Sequence, residues 1–289
     1  MLPLGILSGI FALFGWGVSD FTGAIASRKI NNVRTLFWSL SIGSVIFLIF
    51  YIFTSLRLPV FTFSYLGIMF LAALLQATGG YFFFKGFQVG DVSIVSPIAS
   101  SFGMWTVILA VIFLHETLSI FQIFQIGLII IGIFLVSTDI SKFIKKSKFL
   151  ISDKGAKYAF IASLFWAISF ILYSPLVKVN GWLISAICLR LLMLSCVFIF
   201  AFFTKKNLLF SPKKEITPFV LITASADVIG YSGYSIGLEH GLTAIVSPVA
   251  AAFPLVTVFL AQIYLKEKLV LNQIIGIVGI ISGLILLSL

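Results

Sequence analysis

Ten stretches of apolar residues, each near the length that crosses a bilayer, follow one another along this chain. They cover 4–26, 34–55, 64–86, 92–114, 119–138, 157–175, 182–203, 216–237, 242–264 and 270–288. About twenty residues of helix are needed to span the hydrocarbon of a membrane. Inside hydrocarbon every backbone N–H and C=O needs a protein partner, which leaves only helices and closed barrels as spanning structures. Barrel strands are about ten residues long and alternate in polarity, whereas these runs are twice as long and apolar on all faces. The expected fold class is therefore an all-α membrane protein with ten transmembrane helices.

Composition and charge agree with this reading. Of 289 residues, 61% are hydrophobic and 10% charged, against about a quarter charged in soluble domains. The net charge of +10 could suggest nucleic acid, but the basic residues sit in short loops between apolar runs. Cytoplasmic loops explain that placement, and no nucleic-acid partner is expected. The start, Met1-Leu2-Pro3, has no basic n-region, so the first run is expected to be a retained helix. Cys188 and Cys196 share one apolar run eight positions apart, without Cys or His at ligand spacing. They read as packing residues rather than a disulfide or metal site.

The chain is internally repeated. The segment IVSP occurs at 94–97 and again at 245–248, and a shift of 151 positions keeps matching without gaps. Gly86 meets Gly237, Gly90 meets Gly241, Phe102 meets Phe253, Glu116 meets Glu267, Gln122 meets Gln273 and Gly132 meets Gly283. At a shift of 150, Trp16 meets Trp166 and Ser19 meets Ser169. Shared hydrophobicity would align Leu and Ile, not Pro, Glu, Gln, Trp and Gly. The organisation expected is a first repeat at 1–140, a basic linker at 141–156 and a second repeat at 157–289. Five helices per half is an odd number, so the second half enters from the opposite side and the repeats are inverted. Inverted repeats are the common build of secondary transporters, with the solute near the midplane.

Lysine and arginine give the orientation. The connections after helices 1, 3, 5, 7 and 9 hold Arg28, Lys29, Arg34, Lys85, the six lysines from Lys142 to Lys157, Lys205, Lys206, Lys213, Lys214, Lys266 and Lys268. The other side holds Arg57 and Lys178. The expectation is a multi-pass protein of the cytoplasmic membrane with both termini outside.

The pattern resembles the drug/metabolite transporter superfamily, in its ten-helix EamA-type branch. The resemblance is carried by IVSP, an apolar helix and an acidic end, Leu114-His115-Glu116-Thr117-Leu118 in one half and Leu265-Lys266-Glu267-Lys268-Leu269 in the other. Gln122 or Gln273 and a glycine-bearing last helix follow. Trp16 and Trp166 look like the family's tryptophan in the first helix of each repeat, and Arg190 like its arginine in the second, with Trp38 read as the equivalent position of the first half. The resemblance implies secondary transport of small organic solutes by alternating access, with amino acids or related metabolites as cargo and export as direction. A lipid-linked sugar or drug carrier is the alternative within transport, and a non-transporting membrane interaction protein the alternative outside it.

Asp20 and Asp227 lie well inside their helices, where an ionisable group facing lipid is costly and so should face a cavity or a partner. Gln76 is the repeat counterpart of Asp227. The expected solute site comprises Asp20, Gln76, Asp227, Arg190 and Trp16, with Trp166, Tyr81, Tyr231 and Tyr234 as further aromatic lining. Structural pairing of Asp20 or Asp227 with Arg190, and plain packing of the aromatics, stay open as alternatives. Proton coupling through a buried carboxylate is a further role open to this site. Ser96, Pro97, Ser247 and Pro248 read as a gate or hinge, the prolines freeing carbonyls that the serines could bond. Gly276, Gly279 and Gly283 read as close helix packing, within or between protomers. There is no HExxH, Walker loop or GxSxG; no catalytic residue, metal or cofactor is expected. The partners expected are a small solute and the bilayer, for a monomer or homodimer.

Overall fold

A computed structural model describes residues 2–54, 61–137, 154–209, 215–265 and 270–288. The first half holds α1 (Leu2–Ile30), α2 (Asn32–Ile52), α3 (Phe63–Val89), α4 (Val92–Ser100), α5 (Phe102–Phe113) and α6 (Ile120–Ser137). The second holds α7 (Lys154–Asn180), α8 (Trp182–Phe203), α9 (Thr217–His240), α10 (Thr243–Ala250), α11 (Pro254–Leu265) and α12 (Leu271–Ser288). No strand occurs among the described residues. The pairs α4–α5 and α10–α11 each make one crossing, so every half crosses five times. Among the described residues nine crossings are long and apolar enough to span, and Ile120–Val136 is a shorter apolar one.

Several boundaries differ from the sequence reading. The first helix runs to Ile30 rather than 26, and the sixth covers 154–180 rather than 157–175. Arg28, Lys29 and Lys85 therefore lie on helices, and the last three residues of the expected linker form the first turn of α7. The rest of that linker, Glu267 and the lysines at 142–148, 213, 214, 266 and 268 lie outside the described residues. The helices extend because single residues turn the chain: Asn31 at φ 74° between α1 and α2, and Gly181 at φ 77° between α7 and α8. These two matched turns register α2 on α8 at a shift of 150. Arg190 then corresponds to Leu40, and the pairing with Trp38 is corrected. Trp38 instead donates its indole N–H to the Leu208 carbonyl at 2.9 Å.

The fourth crossing of each half, expected as one kinked helix, is broken in two. Between α4 and α5 stands Ser101, and between α10 and α11 stand Ala251–Phe253. Pro97 and Pro248 precede the breaks, since a proline inside a helix removes a ladder bond. Pro254 opens α11, where its missing N–H costs nothing. The serines beside the prolines do not bond freed carbonyls as expected. In the first half the carbonyls left at the break, those of Pro97 and Ile98, accept from the Ser100 and Ser101 hydroxyls, both at 2.7 Å. Ser96 and Ser247 face inward toward side chains instead.

The helices are small-residue surfaces inside and large apolar surfaces outside. On α1, Leu4, Leu7, Phe11 and Phe14 are exposed, one stripe at helical spacing that faces hydrocarbon, while Ala12, Leu13 and Trp16 are buried. The most extensive contacts are α1 on α9, α3 on α7 and α6 on α12. All three join one half to the other, so the repeats interlock. Close approach requires glycine: a Cβ on Gly15 would collide with the Gly230 backbone, and one on Gly276 with that of Gly132 and Val136. Gly283 meets Ile129 in the same way, whereas Gly279 has ordinary contact distance. The final-helix glycines thus pack within one chain, against α6.

The turn at Gly181 supplies a check. Its φ is one that side-chain-bearing residues rarely adopt, and the nearest atom to a new Cβ is Glu239 Oε1 at 3.6 Å. Gly181→Val should therefore destabilise by strain alone, about 1–3 kcal/mol, seen as a lower unfolding temperature of the purified protein. Asn31→Gly should be close to neutral, because the relief of strain offsets the lost side-chain cap on the Arg34 N–H.

Candidate functional site

Helix ends that share a side fix the frame. The C-termini of α1 and α3 and the N-termini of α2, α7 and α9 lie on the side carrying most basic residues, here the basic side. Repeat-equivalent hydrogen bonds set the depth of the centre. Ser19 on α1 donates to the Thr223 carbonyl of α9 at 3.1 Å, and Ser169 on α7 donates to the Ala72 carbonyl of α3 at 2.8 Å. One turn away, the Trp16 indole covers Gly230 and the Trp166 indole covers Gly79, each where a Cβ would sit. The two breaks meet between these pairs: Phe102 and Phe253, equivalents in the repeat, stack with ring centres 6.3 Å apart and planes within 16°. The approximate twofold axis relating the halves passes between these rings.

Around this stack lies a cavity. It is lined by Trp16, Ser19 and Asp20 from α1, Leu36, Ser39 and Leu40 from α2, and Gln76, Gly80, Phe83 and Phe84 from α3. Phe102, Trp166, Phe170, Met193, Asp227, Tyr231 and Phe253 complete it. It is displaced toward the basic side. At 1.5 Å per residue, Leu36 and Phe84 lie roughly 6–8 Å from the basic-side ends of their helices, while no lining residue comes within roughly 13 Å of the opposite ends.

Two carboxylates face this space in different electrostatic settings. Asp227 forms an ion pair with Arg190 Nη2. Arg190 is 2% exposed and stands behind Asp227, its guanidinium 5.5 Å from the Phe47 ring and 5.4 Å from that of Tyr231. Gly43 supplies the room, since a Cβ there would overlap the guanidinium. Arg190 Nε has no hydrogen-bond partner among the described residues. Asp20 has no ion pair among them; Ser96 Oγ donates to its Oδ2 at 3.2 Å. Gln76 donates from Nε2 to the Tyr231 hydroxyl at 2.5 Å, and its buried Oε1 is unpartnered.

The sequence-stated residues therefore divide. Asp20, Gln76, Asp227, Trp16, Trp166 and Tyr231 are brought to one cavity, with Arg190 directly behind it. Tyr234 is one layer out: it is fully buried, packs on Trp16 at 5.2 Å and shares a 2.8 Å hydrogen bond with Ser247. Tyr81 lies elsewhere, against Phe200 and Phe82, with the Lys206 ammonium 5.3 Å over its ring. Helical phase explains this, because Gln76, Gly80, Phe83 and Phe84 share one face of α3 and Tyr81 falls off it. Reasoning from polar residues missed the phenylalanine walls and Ser39. The match of Phe102 with Phe253 in the repeat was the available signal for the central stack.

The side away from the basic residues is tied shut by polar pairs. The hydroxyls of Tyr173 and Ser235 are 2.8 Å apart, those of Ser174 and Thr243 2.7 Å, and those of Tyr65 and Ser185 3.2 Å. Glu116 of the first half accepts the Thr243 and Ala244 N–H groups at 2.9 and 2.7 Å. It caps α10 where a helix N-terminus favours an anion. In the repeat, the counterparts of Tyr173, Ser235, Ser174 and Thr243 on the basic side are Gly23, Phe84, Ala24 and Val92, which cannot form such pairs. There the ring of Phe84 fills the space over Gly23.

Comparison with known proteins follows the whole chain. The EamA-like transporter family model matches residues 3–138 and 153–289. An uncharacterized protein of Methanocaldococcus jannaschii is 42% identical over 83 residues, 29% of this chain, and the match spans 60% of that protein's length. A solved crystal structure superposes with a TM-score of 0.74 over 98% of this chain and 96% of its own, at 11% identity. That likeness is one of fold.

The Arg190–Asp227 pair can be isolated by a double-mutant cycle. Either Arg190→Met or Asp227→Asn alone leaves a buried charge without its partner, which typically costs about 3–5 kcal/mol. The double variant should recover much of that loss. Thermal unfolding of the four purified forms in one detergent measures it, and additive losses would show that the pair is not coupled.

Proposed function

Because the chain belongs to the EamA-like transporter family, a family of multi-pass membrane transporters of small solutes, we propose a secondary transporter of the cytoplasmic membrane. It moves small organic solutes, metabolites of about amino-acid size, by alternating access, with export as the working direction. The observation that carries this reading is the asymmetric cavity between two interlocked halves. It lies nearer the basic side, while three hydroxyl pairs tie the other side against one, Thr22–Thr223, on the basic side. Exchange of the two halves' conformations would close the basic side and open the other. The basic side is assigned to the cytoplasm, which places both termini outside.

The electrostatics also favour transport over a purely structural role. A non-transporting membrane protein would be expected to neutralise both buried carboxylates with permanent partners. Asp227 has Arg190, but Asp20 faces the cavity with a single hydroxyl donor. Asp20 is accordingly the group proposed to carry a coupling proton. The prolines and the breaks beside them are the proposed hinges, because they loosen the fourth crossing of each half next to the central stack.

Ser39 lines the cavity on α2 and offers a test. In a protein with Cys188 and Cys196 replaced by Ala, Ser39→Cys should react with a membrane-impermeant maleimide in inside-out vesicles and not in intact cells. Tyr173→Phe with Ser235→Ala should raise labelling in intact cells. Equal labelling from both sides before that change would refute the reading of the cavity as open to one side. In proteoliposomes, an acidic lumen should drive solute uptake by the wild type, protons leaving as solute enters, and not by Asp20→Asn.

A further inference from the structure

Resting on that transport reading, we propose that the cavity selects protonated organic amines over amino acids and organic acids, with Asp20 as the anchor of the ammonium group. The argument is an inventory of the polar groups a solute would meet. No Lys, Arg or His lines the cavity among the described residues. The nearest cation, Arg190, is held by Asp227 and enclosed by Phe47 and Tyr231, so a solute carboxylate would find no free positive charge. Besides two hydroxyls, Ser39 and Tyr231, what is free is accepting capacity. Asp20 offers a carboxylate with one hydroxyl donor on it, and Gln76, 2% exposed, offers an Oε1 without a partner. Ser19 is committed to the Thr223 carbonyl.

A site with acceptors, one unbalanced negative charge and aromatic walls suits a cation with N–H donors. Each N–H of an ammonium can meet an acceptor, and the faces of indole and phenyl rings attract positive charge within about 6 Å. Trp16, Trp166, Phe84 and Phe170 supply such rings in the cavity. A bare carboxylate at this depth is costly, so a proton or a cation on Asp20 completes the site. The counterpart of Asp20 in the repeat is Phe170, so the charge lies off the twofold axis. The carbon part of the amine would then lie along the Phe102–Phe253 stack.

Three probes with one carbon skeleton separate the possibilities: phenethylamine, phenylalanine and 3-phenylpropionate. Their affinities for the purified full chain in lipid nanodiscs are read by calorimetry and by the rise in unfolding temperature, since a ligand of the folded state stabilises it. Phenethylamine is expected to bind, phenylalanine about tenfold or more weakly, and 3-phenylpropionate more weakly still. Asp20→Asn keeps the size and the Ser96 hydrogen bond, and should lower the amine affinity about 10- to 100-fold, the range for losing a charged hydrogen-bond partner. The wild-type ranking stands as a test by itself where Asp20→Asn fails to fold. Equal binding of phenylalanine or 3-phenylpropionate, no binding of phenethylamine, or an undiminished affinity in a folded Asp20→Asn overturns the proposal. Counterflow in proteoliposomes judges transport separately. Amine that binds but is not carried defeats the transport reading, and carriage of amino acids without amine defeats only the selectivity.

Discussion

Hydrocarbon supplies no hydrogen-bond partners, and that absence organises the molecule. Polar side chains in the crossings turn inward and find one another or a backbone carbonyl. Ser19 and Ser169 reach carbonyls of the opposite half, Glu116 caps a helix of the opposite half, and Tyr173 and Ser174 meet hydroxyls on α9 and α10. Hydrophobic burial cannot bind helices that lipid solvates equally well, so close packing and these bonds hold the bundle. Because the partners of Ser19, Ser169 and Glu116 sit across the repeat, these contacts both hold the fold together and form the seam between the halves, while the Tyr173 and Ser174 pairs tie helices within the second half.

The cavity follows from the same logic. Where small residues let α1 approach α9 and α3 approach α7, the two indoles are pushed to the centre and stack their edges around the broken fourth crossings. The breaks bring Phe102 and Phe253 to the axis and leave room beside them. Within this room the halves have diverged in their charges. Asp20 stands against Phe170, Gln76 against Asp227 and Leu40 against Arg190. A duplicated scaffold thus encloses a cavity whose lining is not duplicated.

Much of this was legible in the sequence. Run length dictated helices, the IVSP and Glu matches fixed the duplication, and the odd number of crossings required inversion. Depth along the helix placed Asp20, Gln76 and Asp227 at a common level. What was not legible depended on angle and on single-residue turns. Tyr81 sits at the right depth but on the wrong face of α3, which depth alone does not distinguish. The one-residue turns at Asn31 and Gly181 displace the register of the second helix, so Trp38 looked like the match of Arg190 when Leu40 is. The roles of Ser96 and Ser247 were also hidden, because a serine beside a proline can turn either to the backbone or, as here, to Asp20 and Tyr234.

The unequal locks at the two ends carry a thermodynamic consequence. If the second conformation is the mirror exchange of the halves, the two states differ in energy mainly where paired positions differ in chemistry. Tyr173–Ser235, Ser174–Thr243 and Tyr65–Ser185 have Gly23–Phe84, Ala24–Val92 and Ile216–Thr35 as counterparts, and Thr22–Thr223 on the basic side has Leu172–Ala72. Three hydroxyl bonds against one, at about 1 kcal/mol each, set a resting preference on the order of 30 to 1. That is strong enough to give the empty carrier a default posture, and weak enough for one bound molecule to reverse it.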